Sequence, residues 1–177
     1  MRCQYCDTAY AFHGGEGATL EEVLRKVQDY DTHHVCVTGG EPLAQKGCLA
    51  LLRSLCDAGL RVSLETSGAL SLAGVDPRVV LVVDVKTPGS GEAARNLYPQ
   101  LQPKDLVKFV ICSREDYEWS RAKLEELQLA ARCTVLFSPS HEQVPPGQLA
   151  DWLLADHLPV RFQVQLHKYL WGNVAGK

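Results

Sequence analysis

Six short stretches rich in Val, Leu, Ile and Phe divide the chain and predict six β-strands. Most of these stretches are apolar at nearly every position, which is typical of parallel strands covered on both faces. The predicted strands cover residues 34–38, 62–66, 79–86, 106–111, 133–137 and 160–166. The pattern therefore predicts a parallel sheet that is largely buried.

Between these stretches lie segments whose apolar residues repeat at helical spacing. The first begins at a capping-box signal on Thr19, and the second begins at Pro42. Gly59 is expected to end the second helix. Ser113 is expected to cap a third helix, and Pro146 to begin a fourth.

Strands and helices alternate along most of the chain, which is typical of an α/β architecture with a parallel sheet. A complete barrel of eight strand–helix units needs about 250 residues, whereas this chain has 177. The link at residues 67–78 is too short and too rich in Gly, Ser and Pro for a good helix. We therefore predict a single domain over residues 1–177, folded as an incomplete (β/α) barrel of about six parallel strands that lacks its first strand.

Composition narrows the expected partners and the compartment. The formal net charge is −3, so a surface for duplex nucleic acid is not expected. No signal peptide and no membrane-spanning apolar stretch is evident, which predicts a cytoplasmic protein without a membrane partner. The seven cysteines form no dense framework, as is typical of a reducing compartment. Five are expected to pack in the core: Cys36, Cys48, Cys56, Cys112 and Cys133.

The other two cysteines, Cys3 and Cys6, open the chain at a spacing that lets both thiolates bind one metal. The pair alone leaves three chemistries open: half of a zinc site, a redox-active dithiol, and a set of iron–sulfur ligands. Other segments must decide among them.

Polar segments follow the predicted strands, where ligands of open α/β sheets and barrels gather. Asp84 and Lys86 lie two residues apart on one face of a strand, so pairing with each other or contact with a ligand is expected. Gln163, Gln165 and His167 alternate and are predicted to project to one side of the last strand. Three polar side chains on one face suggest a polar cavity.

Two motifs together resemble those of radical S-adenosylmethionine enzymes. Cys3-Gln4-Tyr5-Cys6 resembles the last two cysteines of their Cys-x-x-x-Cys-x-aromatic-Cys signature, and the Thr-Gly-Gly-Glu-Pro segment at residues 38–42 resembles their methionine-binding motif. Within that superfamily the chain is similar over nearly its full length to 7-carboxy-7-deazaguanine synthase. The segments that carry this similarity are Cys6-Asp7-Thr8 and residues 84–91, 108–110 and 165–169.

This resemblance implies a lyase activity, the conversion of 6-carboxy-5,6,7,8-tetrahydropterin to 7-carboxy-7-deazaguanine with loss of ammonia. That ring contraction lies on the route to queuosine and other deazapurines. The cofactors implied are a [4Fe–4S] cluster, S-adenosylmethionine and Mg²⁺. The partners implied are the pterin substrate, a reductant protein such as a flavodoxin, and a second copy of the chain in a homodimer.

The resemblance also assigns roles residue by residue. It implies that Cys3 and Cys6 bind the cluster and that Thr8 binds magnesium. No side chain is expected to be catalytic, because the cofactor radical performs the chemistry. The residues expected to contact substrate are Thr38, Gln165 and His167. The residues expected to contact S-adenosylmethionine are Tyr5, Gly39, Gly40, Glu41, Asp84, Val85, Lys86, Ser138, Pro139, Ser140 and His141.

The chain departs from the family pattern at its beginning. The first cluster cysteine of the signature would stand two residues before Met1. We therefore expect the true start of translation to lie upstream, with an in-frame cysteine codon two codons before Met1. Two other interpretations stay open: a glycyl-radical-enzyme activating protein, and a non-catalytic metal-binding or regulatory module if the start at Met1 is genuine.

Overall fold

Six parallel strands form one open sheet in the computed structural model, which describes residues 1–6 and 8–175. The strands lie in the order in which they occur in the chain, and each pairs in parallel with the next. The strands are β1 (His34–Val37), β2 (Arg61–Thr66), β3 (Val80–Val85), β4 (Leu106–Ile111), β5 (Thr134–Pro139) and β6 (Arg161–Phe162). The predicted incomplete barrel is confirmed.

Helices fill most of the connections between strands. The α-helices of the described residues are α1 (Leu20–Gln28), α2 (Cys48–Asp57), α3 (Arg114–Glu126), α4 (Leu129–Arg132), α5 (Pro146–Ala155) and α6 (Leu166–Trp171). Short 3-10 turns occupy Ala9–Phe12, Pro42–Ala44, Pro88–Ser90 and Ala93–Arg95. Throughout residues 1–6 and 8–175, no helix combines the length and apolar character that crossing a bilayer requires.

Three of the predicted helix starts are confirmed. The side chain of Thr19 and the side chain of Glu22 form the reciprocal capping box of α1. Ser113 caps α3 through its hydroxyl, which accepts a hydrogen bond from a backbone N–H of the first turn, and Pro146 begins α5. Residues 67–78, all of which are described, contain no helix, as predicted.

In the described part of the chain, the helices cover one face of the sheet along β3 and β4. Along β3 and β4 every second side chain is buried, and Val83, Phe109 and their counterparts pack with helix residues such as Leu149 in one hydrophobic core. The side chains between them are only partly buried. The prediction of strands covered on both faces is therefore wrong for β3 and β4, whereas successive residues of β5 are buried on both faces. Val82 and Leu106 are apolar residues on the open face, so the sequences of β3 and β4 do not show a clear alternation of apolar and polar positions.

The predicted strand at residues 160–166 is wrong beyond its first residues, because β6 has only two residues. Gln165 already precedes α6, and His167 lies within that helix. Gln163, Gln165 and His167 therefore do not alternate along one strand. The apolar residues of α6 recur at the three- and four-residue spacing of a helix, which competes with the strand pattern in this stretch.

Two smaller predictions are also wrong. Pro42 begins a 3-10 turn, and α2 starts only at Cys48, because the extended backbone of Gln45 interrupts the helix. Cys36 is exposed, because it lies on the edge strand β1 and its side chain belongs to the open face of the sheet. The remaining predicted core cysteines are buried at Cys48, Cys56 and Cys133 and half-buried at Cys112.

Candidate active site

A cavity of about 820 Å³ lies at the carboxyl ends of the strands. Its floor is the open face of the sheet, and its rim includes the N-terminal cysteine loop, which we define as residues 1–6. This edge of a parallel sheet is where ligands bind in α/β proteins. The predicted site residues that line the cavity are Cys3, Tyr5, Cys6, Thr8, Thr38, Gly39, Gly40, Asp84, Lys86, Ser138, Ser140, His141, Gln165 and His167.

Three predicted site residues do not line this cavity. The side chain of Val85 is buried in the core on the helix-covered face, so only its backbone is left for a ligand. Glu41 directs its carboxylate to the end of β2. Pro139 lines a neighbouring cavity of about 300 Å³ together with Gln165. The assignment of these three residues to the cofactor stays a prediction.

The cysteine loop is a tight turn with two free thiols. The amide of Cys6 donates to the carbonyl of Cys3 at 3.2 Å, and both thiols are half-buried. Burial raises the pKa of the Cys3 thiol, and the positive charge of Lys86 opposes that shift. Over the described ranges, no group of three or more His, Cys, Asp or Glu residues is placed to hold a metal ion. The described residues therefore supply two thiol ligands but no third ligand beside them.

Two hydroxyl groups flank the thiols. The Tyr5 hydroxyl is buried and has no hydrogen-bond partner among the described residues. Burial and the nearby Asp84 carboxylate raise the pKa of this phenol, so it stays protonated. The Thr8 hydroxyl lies 3.6 Å from the Cys6 sulfur, whereas Asp7 lies outside the described residues. A buried polar group without a partner beside a cavity is a place where a ligand is expected to bind.

The Gly-Gly-Glu-Pro loop follows β1 and presents bare backbone to the cavity. Gly39 has a φ of 108°, which favours glycine, and a Cβ atom at either glycine would meet no atom within 4 Å. The Glu41 carboxylate accepts hydrogen bonds from the Thr66 hydroxyl at 2.8 Å and from the Ser67 amide at 2.9 Å. The Ser67 hydroxyl also donates to this carboxylate. Glu41 thus ties the glycine loop to the end of β2.

Four charged side chains form the cavity floor. Lys86 Nζ lies 3.0 Å from Asp84 Oδ2, which confirms the predicted pair. Burial is the largest single effect and lowers the pKa of Lys86. The attraction and hydrogen bond of Asp84, together with the nearby Cys3 and Cys6, outweigh it, and the net shift is upward. Asp84 Oδ1 is buried without a hydrogen bond from the described residues. Lys108 Nζ lies 3.7 Å from Asp84 and 3.9 Å from Glu65, beyond hydrogen-bond distance of both.

The sequence-based assignment gives no role to Glu65 or Lys108. The sequence feature that could have identified them is a charged residue within an apolar strand or at its end, where burial without a partner is costly. The register makes this feature specific, because Asp84 lies directly opposite Lys108 in the pairing of β3 with β4. Among the described residues, the floor therefore offers a ligand one acceptor without a donor, Asp84 Oδ1, and one ammonium group without a hydrogen bond, that of Lys108.

The remaining wall comes from the end of β5 and from α6. The buried Ser140 hydroxyl donates to the Gln143 side chain at 2.6 Å, which fixes the loop that carries His141 at the rim. Gln165 and His167 reach the cavity from the beginning of α6. They meet at the predicted cavity, although the strand that was predicted to bring them there is absent from that part of the described chain.

Comparison of the sequence with known proteins identifies close relatives. The profile of the Radical SAM superfamily matches residues 1–81. The chain is 42% identical to the 7-carboxy-7-deazaguanine synthase of Chlorobaculum tepidum, over 96% of this chain and 80% of that protein. It is 39% identical to the 7-carboxy-7-deazaguanine synthase of Koribacter versatilis, over 97% of this chain and 84% of that protein.

Comparison with solved structures supports the same fold. QueE from Escherichia coli superposes with a TM-score of 0.70 at 22% identity, over 92% of this chain and 79% of that chain. Streptococcus suis SuiB, in a crystal structure bound to S-adenosylmethionine, superposes with a TM-score of 0.63 at 14% identity, over 93% of this chain and 47% of that chain. At these identities the superpositions establish the fold alone.

Proposed function

This chain belongs to the 7-carboxy-7-deazaguanine synthase family of radical S-adenosylmethionine enzymes, and we propose that it converts 6-carboxy-5,6,7,8-tetrahydropterin to 7-carboxy-7-deazaguanine with loss of ammonia. One observation carries the proposal. The cysteine loop, the glycine loop and the Asp84–Lys86 pair surround one cavity, in a chain 42% identical to a synthase of that name. The comparisons favour this activity over a glycyl-radical-enzyme activating protein and over a non-catalytic module.

Membership of the superfamily implies a [4Fe–4S] cluster and S-adenosylmethionine, and the described residues fit both in part. Cys3 and Cys6 are free thiols at the rim and would supply two cluster ligands. The orphaned Tyr5 hydroxyl and Asp84 Oδ1 are buried polar atoms that S-adenosylmethionine would satisfy. When bound, the two cofactors supply the one-electron chemistry that starts the radical rearrangement.

The residues of the chain bind and orient the two ligands. The bare backbone at Gly39 and Gly40 lets the methionyl group of S-adenosylmethionine approach closely. The fixed charges of Asp84 and Lys86 would hold the cofactor at the floor. Thr38, Gln165 and His167 line the same cavity and would contact the pterin. Holding both ligands in one cavity would orient the reacting groups.

A magnesium ion at Thr8 is part of the proposal. Magnesium prefers oxygen ligands and keeps several waters, so one hydroxyl and a substrate carboxylate form a reasonable site. The Thr8 hydroxyl is exposed and lines the cavity. The ion would neutralise substrate charge and fix its orientation.

We further propose that residues 1–177 act as a single cytoplasmic domain, reduced by a protein such as a flavodoxin and paired with a second copy in a homodimer. One continuous core and seven free cysteines support the domain and the reducing compartment. The exposed apolar side chains of α6 support the dimer, because Tyr169, Leu170 and Trp171 are each more than half exposed. Light scattering of the wild type and of Trp171→Glu tests the dimer, which the substitution should weaken.

The decisive experiment is anaerobic reconstitution with iron and sulfide, followed by reduction and addition of S-adenosylmethionine, the carboxypterin and Mg²⁺. It uses the full product of the coding sequence, including any residues encoded in frame before Met1. Formation of the deazaguanine, detected by mass spectrometry and lost in Cys6→Ser, is the expected result. The same assay on Thr8→Ala, with and without Mg²⁺, tests the magnesium site. We expect that Mg²⁺ no longer increases the rate of product formation in this variant. A reconstituted protein that cleaves S-adenosylmethionine but leaves the pterin unchanged would contradict the proposed substrate.

A further inference from the structure

The segment after β3 holds the cysteine loop on both sides of Cys3. We define this bridging segment as residues 87–92. The backbone N–H of Gln4 donates to the Ser90 carbonyl at 3.3 Å, and the backbone N–H of Arg2 donates to Glu92 Oε1 at 2.7 Å. The position of the Cys3 backbone therefore depends on where the bridging segment lies.

A buried aspartate on α3 holds the bridging segment in turn. Asp116 is 1% exposed and its carboxylate accepts three hydrogen bonds. The Gly89 amide donates to Oδ1 at 2.8 Å, and the Thr87 hydroxyl donates to Oδ2 at 2.9 Å. The Cys112 amide, at the end of β4, donates to Oδ2 at 3.1 Å. Charge-assisted hydrogen bonds are stronger than neutral ones, so this carboxylate joins β4, α3 and the bridging segment firmly.

The bridging segment is shaped for this close approach. A Cβ atom on Gly89 would lie 2.5 Å from Asp116 Oδ2 and 3.1 Å from Cys112 Cβ, so no other residue fits there without displacing the carboxylate. Thr87 and Ser90 are fully buried, and the Ser90 hydroxyl donates to the Thr87 carbonyl at 2.6 Å. In the Thr-Pro-Gly-Ser sequence after Lys86, Thr87 and Gly89 thus contact Asp116 directly, and Ser90 holds the turn through Thr87.

We propose that Asp116 is a positioning residue for the cysteine loop and acts through the bridging segment. Asp116 does not line the cavity, and among the described residues its carboxylate accepts hydrogen bonds from Thr87, Gly89 and Cys112. The chain of contacts runs from Asp116 to Gly89, along the backbone to Ser90, and from Ser90 to Gln4. The inference rests on the proposed function only for what Cys3 binds. The coupling itself is a property of the chain without cofactors.

The test compares Asp116→Asn with a matched control, Asp105→Asn, in the protein free of cofactors. Asp105 is also 1% exposed and accepts two backbone hydrogen bonds, from Leu81 and from Gln102 at 2.9 Å each. It precedes β4 and so lies at the amino ends of the strands, away from the cavity. Both substitutions remove a buried charge and keep the side-chain volume. The readouts are amide hydrogen exchange at Gln4 by NMR and the alkylation rate of Cys3.

We expect Asp116→Asn to raise the hydrogen-exchange rate of the Gln4 backbone N–H by about tenfold. The asparagine side chain has one acceptor oxygen and cannot accept from every donor that the carboxylate satisfies. Cys3 alkylation should accelerate by a similar factor, and Asp105→Asn should change neither rate. Equal acceleration in both variants would overturn the proposal, because it would show general loosening of the fold. Faster exchange at Gly89 without a change at Gln4 would also overturn it.

A second pair of variants tests the same proposal if Asp116→Asn fails to fold. Thr87→Val removes the hydroxyl that donates to Asp116 and keeps the shape, whereas Thr87→Ser retains the hydroxyl. The valine variant should accelerate exchange at Gln4, and the serine variant should behave as the wild type. Identical behaviour of the two variants would refute the coupling. None of these outcomes depends on turnover, so an inactive enzyme would not decide this proposal.

Discussion

The carboxylate of Glu41 offers a direct test of how the glycine loop is held. The sequence-based prediction gives this residue to the cofactor, whereas the structure engages both of its oxygens with the end of β2. In Glu41→Gln, one oxygen becomes an NH₂ group. Each oxygen accepts one backbone N–H, Oε1 that of Leu43 at 3.3 Å and Oε2 that of Ser67 at 2.9 Å. The hydroxyls of Thr66 and Ser67 can rotate to accept from the NH₂ group, but neither backbone N–H can, whichever oxygen is replaced. The substitution therefore leaves one fixed donor of a charge-assisted hydrogen bond without its acceptor.

The expected cost follows from that single loss. A hydrogen bond to a charged group contributes about 1.5–3 kcal/mol, so the free energy of unfolding of Glu41→Gln should fall by about that amount. Urea unfolding at pH 7, followed by fluorescence, measures it. The matched control is Glu65→Gln on β2, whose side chain is 43% exposed and lies 3.9 Å from Lys108 Nζ. The control should change stability by less than about 0.5 kcal/mol.

One result would refute this reasoning. If Glu41→Gln unfolds with the wild-type free energy but binds S-adenosylmethionine at least tenfold more weakly after reconstitution, the carboxylate contacts the cofactor directly. The hydrogen bonds to Thr66 and Ser67 would then contribute nothing to stability, contrary to their burial and geometry.

Phe137→Ala should lower the free energy of unfolding by about 3–5 kcal/mol, because this ring is fully buried between other aromatic rings; Phe162→Ala, at an exposed site, should change it little in the same urea experiment. The hydrogen bond from the Tyr117 hydroxyl chiefly lowers the pKa of Asp156, so its stabilising effect is present above the unfolded pKa and is lost as pH falls through the folded value. Asp156→Asn should therefore be less stable than the wild type at pH 7. In a pH series of urea unfolding the difference should shrink as pH falls below about 4 and should vanish only below the lowered folded pKa of Asp156. Lys108→Met should leave the unfolding free energy nearly unchanged but weaken binding of the carboxypterin or S-adenosylmethionine about tenfold by calorimetry; unchanged affinity for both would show that the floor ammonium contacts neither.

Local sequence determined the framework of this protein. The apolar stretches located all six strands, although the last one is shorter than predicted. The capping box at Thr19, the cap at Ser113 and the start at Pro146 depend on neighbouring residues only, and all three occur. The motifs at Cys3–Cys6 and Gly39–Gly40 were sufficient to predict the superfamily, and both border the cavity. Each of these features is encoded within a few residues of the chain, and for that reason it is readable from the sequence.

Tertiary structure alone decided which residues meet. Asp84 faces Lys108 through strand register, Glu41 reaches residues 66 and 67 at the end of another strand, and Asp116 reaches back to Gly89 from a helix. Partners 24 to 27 residues apart are set by how strands and helices pack, and no local pattern specifies them. The sequence did not reveal the open face of the sheet for the same reason. The residues of a strand do not specify whether a helix covers its second face. Burial and the choice of partners depend on how the chain packs. In this protein, packing brings motifs that are separate in the sequence together in one site.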